Sequence, residues 1–281
     1  MKITTTLLLS LLLMTGGKKK EPITSNNIDN RLVKVEDRLY ANKYETTNGE
    51  YREFLDWIKT HKSEDLKKFE IRHNGWDDLH GSEYSAQYFN NRGFDNYPVV
   101  NITQEAAKAF CAWLTDQYNE SADRKKKFTK VKFRLPTEKE WLGMALHNSK
   151  RPIKYPWGGP YLQNKKGCHL ANYRRVGNGT IKMDINDPTT VSIEPWEDRQ
   201  GKKRYGNEVL ASPVTSFTPT GAGLHNLAGN AAEMLAEEGR TKGGSWGSTG
   251  YYLQIGAEDE FKGFVTSPFV GFRYVMEVIE K

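Results

Sequence analysis

The chain has 281 residues, of which 37% are hydrophobic and 27% charged, and its formal net charge is +6. That balance excludes wholesale disorder, and the length admits one or two domains. So mild a basic excess does not indicate nucleic acid, and no nucleic-acid motif accompanies it, so none is expected as a partner.

Residues 1–17 read as an export leader. Lys2 supplies a positive start, and the apolar run from Leu7 to Leu13 is far shorter than the roughly 20 residues of a spanning helix. Thr15-Gly16-Gly17 then precedes Lys18-Lys19-Lys20, which resembles a bacterial lipoprotein leader with Gly17 where the lipid-bearing Cys would stand. The expectation is an exported protein of the periplasm or outer membrane, attached to a membrane only if residue 17 is natively Cys. Residues 18–30 are polar and basic and read as a tether between the leader and the folded residues 31–281.

Alternation from Arg31 to Tyr40 predicts a first strand. Thr46-Thr47-Asn48 offers an N-cap, and Tyr51, Phe54, Leu55 and Ile58 then fall on one helical face. Residues 61–98 show no period and read as a long aromatic loop region. Thr103 caps a helix to about Asn119 with Ala106, Phe110, Trp113 and Leu114 on its apolar face, and Lys130 to Leu135 alternates as a strand. Thr137 and Glu140 form a capping box before Trp141, Met144 and Ala145. From about 148 to 225, Gly, Pro, Asn and Trp replace any period, and the class is α+β with much irregular chain.

Gly243-Gly244-Ser245-Trp246-Gly247 matches the G-x-S-x-G pattern of a hydrolase elbow, but no His follows His225 and the next residues are not helical. Ser245 is therefore expected to be structural. The six His, at 61, 73, 80, 147, 169 and 225, lack zinc-ligand spacing. The basic run from Arg124 through Lys130, Lys132 and Arg134 reads as a solvated turn and strand face. Cys111 and Cys168 are the only cysteines, and both a disulfide and a buried Cys111 thiol stay open. In Asn226-Leu227-Ala228-Gly229-Asn230-Ala231-Ala232-Glu233 the oxygen donors suit a hard cation, although spacing alone favours an Asn-Gly turn capping a helix from about Ala231.

Tyr44 to Tyr51, Tyr97-Pro98-Val99-Val100, Ala109 to Leu114, Phe133 to Trp141, Tyr155-Pro156-Trp157-Gly158, Ala171-Asn172-Tyr173, Pro213 to Phe217, Gly223 to Asn230, Lys242 to Trp246 and Gly271-Phe272-Arg273 occur in this order. The ordered set, across about residues 31–277, resembles the formylglycine-generating-enzyme (sulfatase-modifying factor) family. The resemblance implies a C-type-lectin-like variant fold in one domain. It also implies a structural calcium at Asn226 and Glu233 by side chain and at Gly229 and Ala231 by carbonyl. A second calcium would use Asn172 and the Tyr173 carbonyl, with Asp184 or Asp187 as its acid.

Active members of the family bind copper through two cysteines whose places fall here at Ser248 and Leu253. Copper and the family's oxidation are therefore not expected. Ala231-Ala232-Glu233-Met234 also departs from the family's aromatic pattern at that point. The resemblance extends to non-catalytic lipoproteins of bacteroidete gliding-motility and type IX secretion machinery, which implies a scaffold or partner-binding role in a cell-envelope assembly. Alternatives are a peptide- or glycan-binding module whose former substrate groove is lined by Trp246, Ser248, Tyr251, Tyr252 and Leu253, and an oxidase or hydroxylase with atypical metal ligands. Trp76, Tyr84, Tyr88 and Phe89 are further candidates for a partner surface or a local core.

Overall fold

A computed structural model describes residues 25–76, 82–122, 124, 128–147, 149, 152–175 and 210–281, together with four short strands between 181 and 204. The leader, Asp184, Asp187 and Lys125–Lys127 lie outside the described residues. Among the described residues no helix is long and apolar enough to cross a membrane.

Helix α1 (Ser25–Arg31) overlaps the expected tether, and Ile28 is buried in the main core, so packing extends N-terminal of residue 31. The first expected strand is two, β1 (Leu32–Glu36) and β2 (Leu39–Asn42), because the chain reverses at Asp37-Arg38 and pairs with itself. Helix α2 (Asn48–His61) begins where the Thr47 hydroxyl accepts from Glu50 N–H and the Glu50 carboxylate accepts from Thr47 N–H, a closed capping box. Among its described residues, the expected loop region 61–98 instead holds two short α-helices, α3 (Leu66–Phe69) and α4 (Ser82–Asn90), and two 3-10 turns, Ser63–Asp65 and Arg92–Phe94. Trp76 and Tyr88 are buried there as a local core, Phe89 is half-buried beneath Arg52, and the Tyr84 side chain lies outside the described residues.

Helix α5 (Gln104–Glu120), capped by Thr103, and β3 (Lys130–Arg134) match expectation, as does α6 (Glu138–Leu146) with its Thr137–Glu140 capping box. Among the described residues two antiparallel strand pairs follow, β4 (Ile181–Met183) with β5 (Val191–Ile193) and β6 (Trp196–Glu197) with β7 (Lys203–Arg204). Residues 232–234 form strand β8 (Ala232–Met234), not a helix, because they pair antiparallel with β9 (Thr241–Lys242) and parallel with β10 (Val270–Gly271). The last strand, β11 (Val275–Glu280), enters the centre of an antiparallel sheet ordered β1-β2-β11-β3.

Helices α2 and α5 cover this sheet, and the core between them is aromatic: Tyr51, Phe54, Phe110, Trp113, Phe133, Phe272 and Tyr274. Their rings meet at 5.4–6.3 Å, several of them edge to face. Cys111 is buried on α5, and burial pushes its thiol well above the usual range, whereas Cys168 is exposed; both are free. No disulfide joins them.

Candidate functional site

The glycine-rich run after β9 is where three segments cross. Gly243 has φ 92° and a Cβ there would stand 2.8 Å from the Leu227 carbonyl oxygen; Gly244 has φ 64° and would meet the Tyr252 carbonyl at 3.0 Å. Only glycine allows both the left-handed backbone and the close approach. The turn is held from within. Ser248 Oγ accepts from Ser245 N–H at 2.8 Å, the two hydroxyls lie 3.0 Å apart, and Gly247 N–H donates to Ser245 Oγ. Ser245 is fully buried, with its amide and hydroxyl both engaged inside the turn.

Ser248 is also fully buried, and burial pushes the nearby Glu260 carboxyl up, with Ser248 pulling the other way. Leu253 is fully buried in a cluster with Tyr155, Ala171, Tyr173 and Ala228. Trp246 packs against Trp76 and Phe269 in another cluster. Of the five residues expected to line a groove, only Tyr251 (54% exposed) and the half-buried Tyr252 reach solvent.

The segment 226–233 lies beside this turn, through Gly229 N–H to the Gly243 carbonyl at 2.9 Å and Trp246 N–H to the Asn230 carbonyl at 2.9 Å. It also meets residue 172: Asn230 N–H donates to the Asn172 carbonyl at 2.8 Å, and Asn172 Nδ2 donates to the Leu210 carbonyl at 2.8 Å. The two expected calcium segments are thus brought together.

Their polar centre includes residues that the sequence did not nominate. Glu45, fully buried, accepts from Asn226 Nδ2 at 3.0 Å, Asn230 Nδ2 at 2.9 Å and Ala231 N–H at 3.0 Å. Burial pushes its carboxyl up to about 8, although Arg273 and the Asn226 and Asn230 amides pull the other way. Glu233 accepts from Arg273 at 2.6 and 2.9 Å and from Trp141 Nε1 at 2.9 Å, and burial, outweighing these partners, raises its carboxyl. Arg273 also donates to the Asn42 and His225 carbonyls. Glu45 and Arg273 were visible only as letters in ordered motifs, because their partners lie 40 to 231 residues away in sequence.

A hard cation needs oxygen donors free of other bonds. Asn226 Oδ1 and Asn172 Oδ1 are both buried without a hydrogen-bond partner, one in each expected site. They fit such an ion. The Glu233 carboxylate is held by Arg273 and Trp141, so it would add charge more than an unbonded ligand. Among the described residues no three His, Cys, Asp or Glu side chains gather as a metal set, so amide and carbonyl oxygens would have to supply most of the coordination.

A family model described as the sulfatase-modifying factor enzyme 1-like domain matches residues 10–278. The formylglycine-generating enzyme of Thermomonospora curvata is 30% identical over 142 residues, which cover 50% of this chain and 34% of that protein. The mouse formylglycine-generating enzyme is 26% identical over 144 residues, covering 50% and 27%. The bovine protein named inactive C-alpha-formylglycine-generating enzyme 2 is 26% identical over 143 residues, covering 50% and 33%. Each match thus spans about a third or less of the relative's length. Among solved structures, the crystal structure of CarF superimposes with a TM-score of 0.51 at 18% identity, covering 88% of this chain and 93% of that one. This shared fold agrees with the expected C-type-lectin-like α+β variant.

Proposed function

This chain belongs to the sulfatase-modifying factor enzyme 1-like family, and we propose that it is a non-catalytic member serving as a scaffold or partner-binding component of a cell-envelope assembly, such as gliding or secretion machinery. The observation that carries this reading is the pair Ser248 and Leu253. Cu(I) is held by soft thiolates. At the two places where the resemblance puts them stand a hydroxyl already bonded to Ser245 and an alkyl side chain sealed in an apolar cluster. No Cys follows Cys168 in the chain. The leader supports an envelope location.

The direct test incubates the purified protein with Cu(I), oxygen and a cysteine-containing sulfatase peptide, and reads aldehyde by mass spectrometry. No aldehyde is expected, and its formation would refute the non-catalytic reading. Crosslinking in native envelopes tests the scaffold role: a specific adduct is expected, and recovery as free monomer alone counts against it.

A structural calcium is part of this proposal. It would be held by Asn226 Oδ1 and the Gly229 and Ala231 carbonyls, with Glu233 nearby, and a second ion by Asn172 and the Tyr173 carbonyl. Such ions would supply positive charge beside the buried carboxylates Glu45 and Glu233, which among the described residues have Arg273 as their bonded or neighbouring cation.

A further inference from the structure

Strand β3 is an outer strand of the four-stranded sheet, yet its edge is closed. Asn119 donates to the Val131 carbonyl at 2.9 Å and accepts from Val131 N–H at 3.1 Å. Thr115 Oγ1 accepts from Phe133 N–H at 2.9 Å. One helical turn of α5 thus occupies the place of a neighbouring strand, so a partner cannot add a strand here.

Between α5 and β3 runs a groove of about 690 Å³ whose exposed wall is mostly apolar. Lys108, Ala112, Thr115 and Asn119 line it at helical spacing, and Ile279, 37% exposed, adds to the apolar lining. Exposed Lys108, Lys130 and Lys132 stand around it. None of the three has an acidic partner among the described residues, whereas Arg134 is neutralised by Glu140 and Glu277. Asp116 is the one acid of the lining. An apolar centre framed by unpaired amines complements a segment with an apolar stripe and carboxylates beside it.

We propose that this groove docks an acidic amphipathic segment of a protein partner. The inference names the partner chemistry for the scaffold reading and rests on it; the binding test below is independent of the aldehyde assay, so either can fail alone.

The probe is a fluorescent synthetic peptide of about four helical turns, with Leu at helical spacing and Glu elsewhere. Its control carries Lys in place of Glu. Anisotropy with the full chain should show the acidic peptide binding at least about tenfold more tightly, and more weakly as salt rises. Lys108→Glu with Lys132→Gln should lose about tenfold, and Ala112→Trp, which fills the apolar centre from an exposed position, should abolish binding. Glutamine is chosen at 132 because Glu277 is its cross-strand neighbour. Unchanged melting temperatures establish that the variants fold. Absence of binding, equal binding of both peptides, or indifference to the charge changes would each overturn the proposal. So would binding of phosphatidylserine vesicles without the peptide, because surface charge alone would then explain the groove.

Discussion

At Gly229 φ is 80°, and a Cβ would stand 2.4 Å from the Asn172 carbonyl oxygen, a fixed backbone atom. Gly229→Ala therefore combines left-handed strain with a clash that must push residues 172 and 229 apart. The expected loss is about 3 kcal/mol or more, read by urea unfolding; a loss under about 1 kcal/mol would mean that the two segments do not pack as described. Glu140 makes a different argument, through protonation. Burial would raise its carboxyl, but hydrogen bonds from Arg134 at 2.7 and 2.8 Å and from Thr137 N–H outweigh it and hold the carboxyl below its ordinary 4.5. A depressed acid contributes stability that is present above the unfolded value and is lost as pH falls through the folded one. Thermal melts on acidification should thus show a slope below about pH 4.5 that Glu140→Gln flattens. An identical acid slope in the variant would rule out this carboxylate as its source.

At the scale of elements, the capped helices are those the sequence could declare. Thr47, Thr103 and Thr137 each accept from an amide three residues on, a local bond that letters three apart reveal. Strand β8 is the opposite case: Ala-Ala-Glu-Met has good helix propensity, and only pairing with residues 241–242 and 270–271 makes it a strand. The β1–β2 reversal was hidden because Asp37-Arg38 carries no glycine or proline signal. The helical edge cap on β3 was equally hidden, since Asn119 and Thr115 look like ordinary polar positions of an amphipathic helix. Asn119→Leu removes a donor and an acceptor together and leaves the Val131 N–H and carbonyl without their partners. The expected cost is about 1–3 kcal/mol in chemical denaturation, with a new concentration-dependent association through the uncovered edge measured by sedimentation. A variant as stable and as monomeric as the parent would show that the helix is not what closes the sheet.

Across the whole molecule, the ordered motifs made the fold legible before any coordinate, because each marks a crossing point: Gly243-Gly244 against 227 and 252, Gly229 against 172, Arg273 against 42, 225 and 233. The polar centre was half legible. Asn226 and Glu233 share one short segment, but Glu45 comes from the start of the domain and Arg273 from its end, and no spacing rule links them. Because of this convergence, a calcium bound here would be a property of the entire fold. An ion at Asn226 would tie together the turn that holds β2, β8 and the Gly-Gly crossing, and would bind only once these are assembled. Linkage then requires stabilisation by saturating calcium, about 2.7 kcal/mol at a hundredfold excess over Kd, or several degrees in melting temperature for a domain of this size. Asn226→Ala should remove most of that gain. The shift should survive in Ser248→Ala, which alters the position that the resemblance matches to a copper ligand and leaves the Asn226 amide in place. A melting temperature unmoved by calcium and by chelator would instead assign the two orphaned amide oxygens, Asn226 Oδ1 and Asn172 Oδ1, to buried water.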